Sequence, residues 1–231
     1  MLRLAYIFLA LLFAGALRGT DSSAGGQDRP RGGKFEWARL ETSGAYWNRH
    51  ANGDPALLAY LSKASPFNID TVWHSVRATT IEALGLYPFI YSDNITYLSS
   101  AEARNLAEYL RRGGFLFIDA CHNREINPNI PAFLQAQIKF LSAQFPRLRT
   151  EEIPRMHAIY SIYFNMTSRN PPYWFGRDPQ YPMHAVYDGD HLIGIIGLSG
   201  FQCGWSDAAA PVGAEWCAQM MTNIYVYAIT R

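Results

Sequence analysis

The sequence predicts an α/β protein of three layers, with a mostly parallel central sheet, helices on both faces and a late antiparallel hairpin. Three observations carry this. Leu98 to Asn123 reads as a capped helix, a two-glycine stop, and a strand, Phe115 to Ile118, that is apolar without alternation. A strand apolar on both faces belongs inside a parallel sheet covered by helices. Strand and helix patterns alternate from Phe35 to Phe145, as βαβ crossovers require. Near the end, Asp188-Gly189 lies between two apolar runs, the signature of a tight hairpin turn.

The elements follow in order. Phe35 to Leu40 alternates apolar with polar residues and is the first strand, and Thr42 to Gly53 is loop. Asp54-Pro55 starts a helix with the aspartate as cap and proline at the first helical position; Leu57, Leu58, Tyr60 and Leu61 form its apolar stripe. Ile69 to Trp73 is the next strand. Thr79 to Glu82 repeats the capping-box pattern before a short helix, and Leu86 to Tyr91 is an apolar strand with a proline near its start. Ser99, with Glu102 three residues on, opens the next helix. Ala103, Leu106, Ala107 and Leu110 recur at helical spacing, Arg111 and Arg112 suit the negative end of the dipole, and Gly113 closes the helix.

Beyond the strand Phe115 to Ile118, Ile130-Pro131 begins a helix that carries Phe133, Leu134, Ile138, Leu141 and Phe145 towards the core and ends at Pro146. Arg149 to Phe164 mixes a short strand with loop, and Asn170 to Pro182 is an irregular surface segment. His184 to Tyr187 and His191 to Leu198 make the hairpin. A helix from about Ala214 closes the chain, with Trp216, Cys217, Met220, Met221 and Ile224 along one stripe.

Composition narrows the function classes. A formal net charge of +1 with scattered basic residues offers no stripe for nucleic acid, which is therefore not an expected partner. Arg3, the apolar run Leu4 to Ala14 and the small residues Ala14-Gly15-Ala16 have the layout of a secretory signal peptide over residues 1–16. Residues 17–34 follow as a flexible linker, and 35–231 as a single domain. The apolar segment is shorter than the roughly 20 residues that span a bilayer, so the expected location is periplasmic or secreted, with membrane attachment only if the leader stays uncleaved. Three cysteines leave at least one unpaired; Cys203 and Cys217 form a plausible disulfide, and equally read as two buried thiols.

Asp119, Cys121 and His122 stand at the carboxyl end of the central strand, where open α/β sheets place ligands and where solvent is expected to reach Asp119. Carboxylate, thiol and imidazole together are the ingredients of nucleophilic catalysis, but the glycine-flanked nucleophile elbow is missing, since Ala120 and His122 bracket the cysteine. His157 is a fourth catalytic candidate. None of the six histidines shows a zinc spacing, and no dinucleotide fingerprint, phosphate loop or G-x-S-x-G occurs, so neither a metal nor a cofactor is expected. Arg39, Trp47 and Trp205 are the candidate binding residues. Trp47 and Trp205 join Tyr46, Tyr173, Trp174, Phe175 and Tyr181 as aromatics that either offer stacking platforms or pack their loops on the core.

Several segments together carry a resemblance: Phe35 to Leu40 with Trp47 after it, LYPFIY at 86–91, the GGFLFID core of 98–119, Pro154-x-x-His157 with Ile159-Tyr160, and TNIYVYA at 222–228. The mature chain resembles the bacterial domain-of-unknown-function family 4159, DUF4159. That resemblance implies a flavodoxin-like sheet, similar to class I glutamine amidotransferases and trehalose-utilisation-type proteins, with the 119–122 turn near the crevice. It brings no reaction with it. Relatives tend to carry acidic residues where this chain has Ala120 and Met156, and Ser199 to Trp205 is less polar than the family pattern.

Two function classes result. The first is a noncatalytic envelope protein that binds a small ligand or a partner protein through the crevice at Asp119, His122 and His157, with aromatic loops as its rim. The second is an amide or ester hydrolase in which Cys121 attacks, His122 or His157 is the base, and Asp119 orients it.

Overall fold

The structure is a computed structural model that describes residues 34–121, 127–168, 181–206 and 211–230. The leader, most of the linker, His122, and the aromatics Tyr173, Trp174 and Phe175 lie outside the described residues.

Nine strands are described. β1 (Lys34–Phe35) and β3 (Asn68–Ile69) form a small parallel pair. The other seven, β2 (Ala38–Glu41), β4 (His74–Arg77), β5 (Phe89–Ser92), β6 (Phe115–Asp119), β7 (Leu148–Glu152), β8 (His184–Asp188) and β9 (His191–Gly197), make one sheet in the order β4-β2-β5-β6-β9-β8-β7. β4, β2, β5, β6 and β9 run parallel, and β8 and β7 add an antiparallel edge. Numbered by their place in the chain, the parallel strands stand in the order 2-1-3-4-5, a common doubly wound arrangement whose direction of winding reverses between β2 and β5. Ligands gather beyond the carboxyl ends of strands at such a reversal.

One apolar layer on each face covers the sheet. On one side α1 (Asp54–Ala64) and α6 (Pro211–Thr230) bring Leu57, Leu58, Leu61, Met221 and Ile224 onto Trp37, Phe89 and Phe117. On the other, α2 (Ile81–Leu84), α3 (Ser100–Arg111) and α4 (Ile130–Ser142) bring Leu84, Leu106, Leu110 and Leu134 onto Leu40, Ile90, Leu116 and Ile118. Phe115 to Ile118 of β6 are all buried, as their unbroken apolar run predicts. The reciprocal capping box of α3 forms as expected: the Ser99 amide donates to Glu102 Oε2 at 2.9 Å and the Glu102 amide to Ser99 Oγ at 3.3 Å. Gly113 follows with φ 94°, a left-handed conformation that costs a glycine little and closes the helix before β6.

Several elements differ from the sequence reading. The first strand is broken at Glu36 and Trp37, and its main part β2 is buried on both faces, because the polar residue in its alternation, Arg39, is itself completely buried. The expected strand from Ile69 to Trp73 is interrupted by a turn in which Asp70 Oδ1 accepts the Val72 amide, leaving β3 and β4 on either side. The short helix α2 is capped by Thr80 rather than Thr79, its hydroxyl accepting the Ala83 amide. Asp54 is not the cap of α1: it lies inside the first turn, fully buried, and its carboxylate is turned to Arg39. The closing helix starts at Pro211. Among the described residues, no helix is long and apolar enough to cross a membrane.

Candidate functional site

Arg39 and Asp54 form the floor beneath the carboxyl ends of β2 and β5. Arg39 Nε and Nη2 donate to Asp54 Oδ2 and Oδ1 at 2.5 and 2.7 Å, a planar two-point contact that only a guanidinium makes. Trp37 Nε1 and Trp205 Nε1 donate to the same carboxylate at 2.9 and 3.2 Å. Arg39 Nη1 reaches the Arg49 carbonyl at 3.0 Å, and the guanidinium lies 4.6 Å from the centre of the Tyr91 ring. Two of the expected binding residues, Arg39 and Trp205, are thus engaged in the core. Trp47 stands in the loop after β2, half-buried.

The expectation of a solvent-reached Asp119 is corrected, for the residue is completely buried. Its Oδ1 accepts the Phe201 amide at 3.0 Å and its Oδ2 the Gln202 amide at 2.8 Å, satisfying the first donors of α5 (Phe201–Trp205), a helix that the sequence reading missed. Burial pushes the Asp119 carboxyl up to about 8, against the pull of those two amides. Asp93, just past β5, is pushed up to about 7 by burial, with the Arg39 charge opposing. Two acids at one sheet edge therefore titrate in the neutral range.

Near them, two polar atoms on the same side of the sheet have no hydrogen-bond partner among the described residues: Tyr91 Oη and Gln202 Oε1. Ser92 Oγ, which points to the opposite face of β5, is also without one. Buried polar groups are satisfied in the great majority of cases, so two such atoms beside Asp119 at a doubly wound switch point are a functional signal.

Cys121 lies two residues past β6 and is buried. Its Sγ is 3.6 Å from Cys203 Sγ on α5 and 4.0 Å from His50 Nε2 in the loop after β2; His50 Nε2 is 3.7 Å from Cys203 Sγ. These three donor atoms lie within 4.8 Å of one another. The sequence reading did not single out His50, and no local motif reveals it, because its partners lie 71 and 153 residues further along the chain. One structural mark does: His50 is the one non-glycine residue with positive φ, 58°, among those described. Of the two readings of Cys203 and Cys217, the structure has the buried thiols and not the disulfide; no described cysteine is in a disulfide, and Cys203 faces Cys121. A second group, Glu36, Asp70 and His74, lies at the other sheet end, where Lys34 Nζ already holds Asp70 at 3.0 Å.

His157 is elsewhere. Its Nδ1 accepts the Ile159 amide at 3.2 Å and its Nε2 lies 3.3 Å from the Tyr227 hydroxyl, on the last turns of α6. Two residues earlier on that helix, Tyr225 packs against Phe35, which precedes β2, and Phe89, at the amino end of β5. The structure therefore unites Asp119 and Cys121 at one edge and leaves His157 towards the opposite one. Half-burial lowers the basicity of its ring.

No curated protein matches this sequence. The model of DUF4159, a domain of unknown function, matches residues 36–229, nearly the whole described fold, and the chain belongs to that family.

Proposed function

We propose that this protein is a noncatalytic binding domain of the bacterial cell envelope that takes a small polar ligand at the carboxyl edge of its sheet, between β2, β5 and β6. The observation that carries the reading is the pair of orphaned buried atoms, Tyr91 Oη and Gln202 Oε1, beside two acids, Asp93 and Asp119, that burial holds near neutrality. An unmade buried hydrogen bond costs on the order of 1–3 kcal/mol, which a ligand supplying the missing donor or acceptor recovers on binding. Gln202 Oε1 only accepts, so the ligand carries a donor such as a hydroxyl or amine. The leader-like segment supports export, and the fold's frequent reuse for unrelated roles fits a site without a complete catalytic set. The test is a thermal-shift screen of small polyols, amines and amino acids against the full chain and two variants, Tyr91→Phe and Gln202→Met. A compound that stabilises the native chain but neither variant supports the reading. Stabilisation that survives both substitutions contradicts it.

A second reading, a cysteine-dependent amide or ester hydrolase, is favoured by the approach of His50 Nε2 to Cys121 Sγ at 4.0 Å, with His50 in the base role first given to His122 or His157. The 3 % exposure of Cys121 weighs against it. Iodoacetamide labelling of Cys121 well below pH 8, followed by peptide mapping, separates the two: prompt labelling supports a reactive nucleophile, and an unlabelled Cys121 ends the hydrolase reading.

A further inference from the structure

We propose that His50, Cys121 and Cys203 form a binding site for one soft transition-metal ion of the zinc class. The three donor atoms are separated by 3.6, 3.7 and 4.0 Å. A triangle with these sides has a centre about 2.2 Å from each vertex, against metal bonds of roughly 2.3 Å to thiolate and 2.0–2.1 Å to imidazole. An ion slightly out of that plane meets all three donors with no rearrangement of the chain. Two thiols and one imidazole are also the donor types that zinc prefers, and two thiolates neutralise a divalent charge in a setting where both cysteines are buried.

The backbone is arranged to hold this geometry. The donors come from three separate segments, following β2, β6 and β9, which the sheet order brings to one edge. His50 is held in the left-handed region, a conformation that costs a non-glycine residue energy and collects at functional sites. Three residues on, Gly53 lets the His50 turn press against the end of α5: a Cβ there would stand 2.7 Å from the Cα and Cβ of Ser206. The Cys121 carbonyl is fixed by Asn127 Nδ2 at 2.8 Å. With three protein donors the ion keeps a further coordination position, the arrangement of zinc sites that meet an exogenous ligand.

The experiment uses the full chain, purified reduced and stripped with a chelator, then titrated with Zn²⁺ and separately with Co²⁺. Native protein should bind one zinc per chain, and its cobalt form should show sulfur-to-metal charge transfer with the visible bands of tetrahedral cobalt. Cys121→Ser, Cys203→Ser and His50→Asn, the last keeping a residue that tolerates positive φ, should each lose more than the roughly 10–100-fold that disturbing an outer-shell partner costs. If a variant fails to fold, protection replaces it: zinc should block alkylation of Cys121 and Cys203 in the native chain and leave Cys217 unchanged. Absence of the charge-transfer band in native protein, undiminished zinc affinity in the variants, unprotected thiols, or a Cys121–Cys203 disulfide in freshly isolated protein each overturns the proposal. The ligand screen with Tyr91 and Gln202 variants involves none of the three donors, so either idea can fail alone.

Discussion

Asp54 holds Arg39 by both carboxylate oxygens with neither side chain exposed to solvent. The pair joins the start of α1 to the centre of β2, and with Trp37 and Trp205 donating to the same carboxylate it ties α5 into the sheet edge.

Removing one member strands the other. Arg39→Ala should lower the unfolding free energy by about 3–5 kcal/mol, the usual cost of leaving a buried charge uncompensated. Arg39→Lys should recover little, because an ammonium cannot make the two-point contact. Urea denaturation measures both, and an Arg39→Ala variant within about 1 kcal/mol of the native chain, no more than a surface pair contributes, would show that the pair is not closed to water.

This pair also explains what the sequence conceals. The apolar run of β6, the Ser99–Glu102 capping box and the hairpin at 184–197 are legible because each signal is local and its consequence is local. Arg39 and Asp54 are opaque for the opposite reason: alternation marks Arg39 as an outward residue, and Asp54 beside Pro55 looks like a cap, until 15 residues of chain bring them together. Likewise Asp119 and Cys121 stand out at a strand end, whereas His50 and Cys203 join them only through tertiary folding, and the first amides of α5 find their acceptors on Asp119, 82 residues back in the chain.

The Asp119 cap should be sensitive to the loss of one oxygen. In Asp119→Asn the new amide must face either the Phe201 or the Gln202 amide, donor against donor, so one buried hydrogen bond is lost. Destabilisation of about 1–3 kcal/mol in urea is expected. An unchanged midpoint would mean that α5 does not depend on this carboxylate.

Asp93 and Asp119 give the stability an inverted pH dependence. Both carboxyls bind their protons more tightly folded than unfolded, so between about pH 4 and pH 8 the native state holds protons that the unfolded chain has released. Their contribution is full below pH 4 and declines as pH rises through 7 and 8. Urea midpoints measured from pH 5 to pH 8.5 should fall with pH, and Asp93→Asn should flatten the lower part of that slope. A rising native profile, or an identical slope in the variant, would contradict the assignment.

Leu116, at the centre of β6 and 2 % exposed, tests the sheet itself. Leu116→Asp buries an unpaired charge between β5 and β9 and should prevent folding, seen as loss of a cooperative melt. A soluble, cooperatively melting variant would show that β6 is not interior.

The most direct measurement is an amide chemical-shift map of the full chain titrated with whichever polar compound stabilises it in the thermal screen. Ligand binding at the carboxyl edge should move resonances of Tyr91 to Asn94, Ala120, Cys121 and Phe201 to Cys203, while those of Tyr225 to Ala228 and the His157 turn stay in place. Shifts centred on the His157 turn or the outer faces of α3 and α4, with the 91–94 and 201–203 amides unmoved, would contradict a site at the switch point.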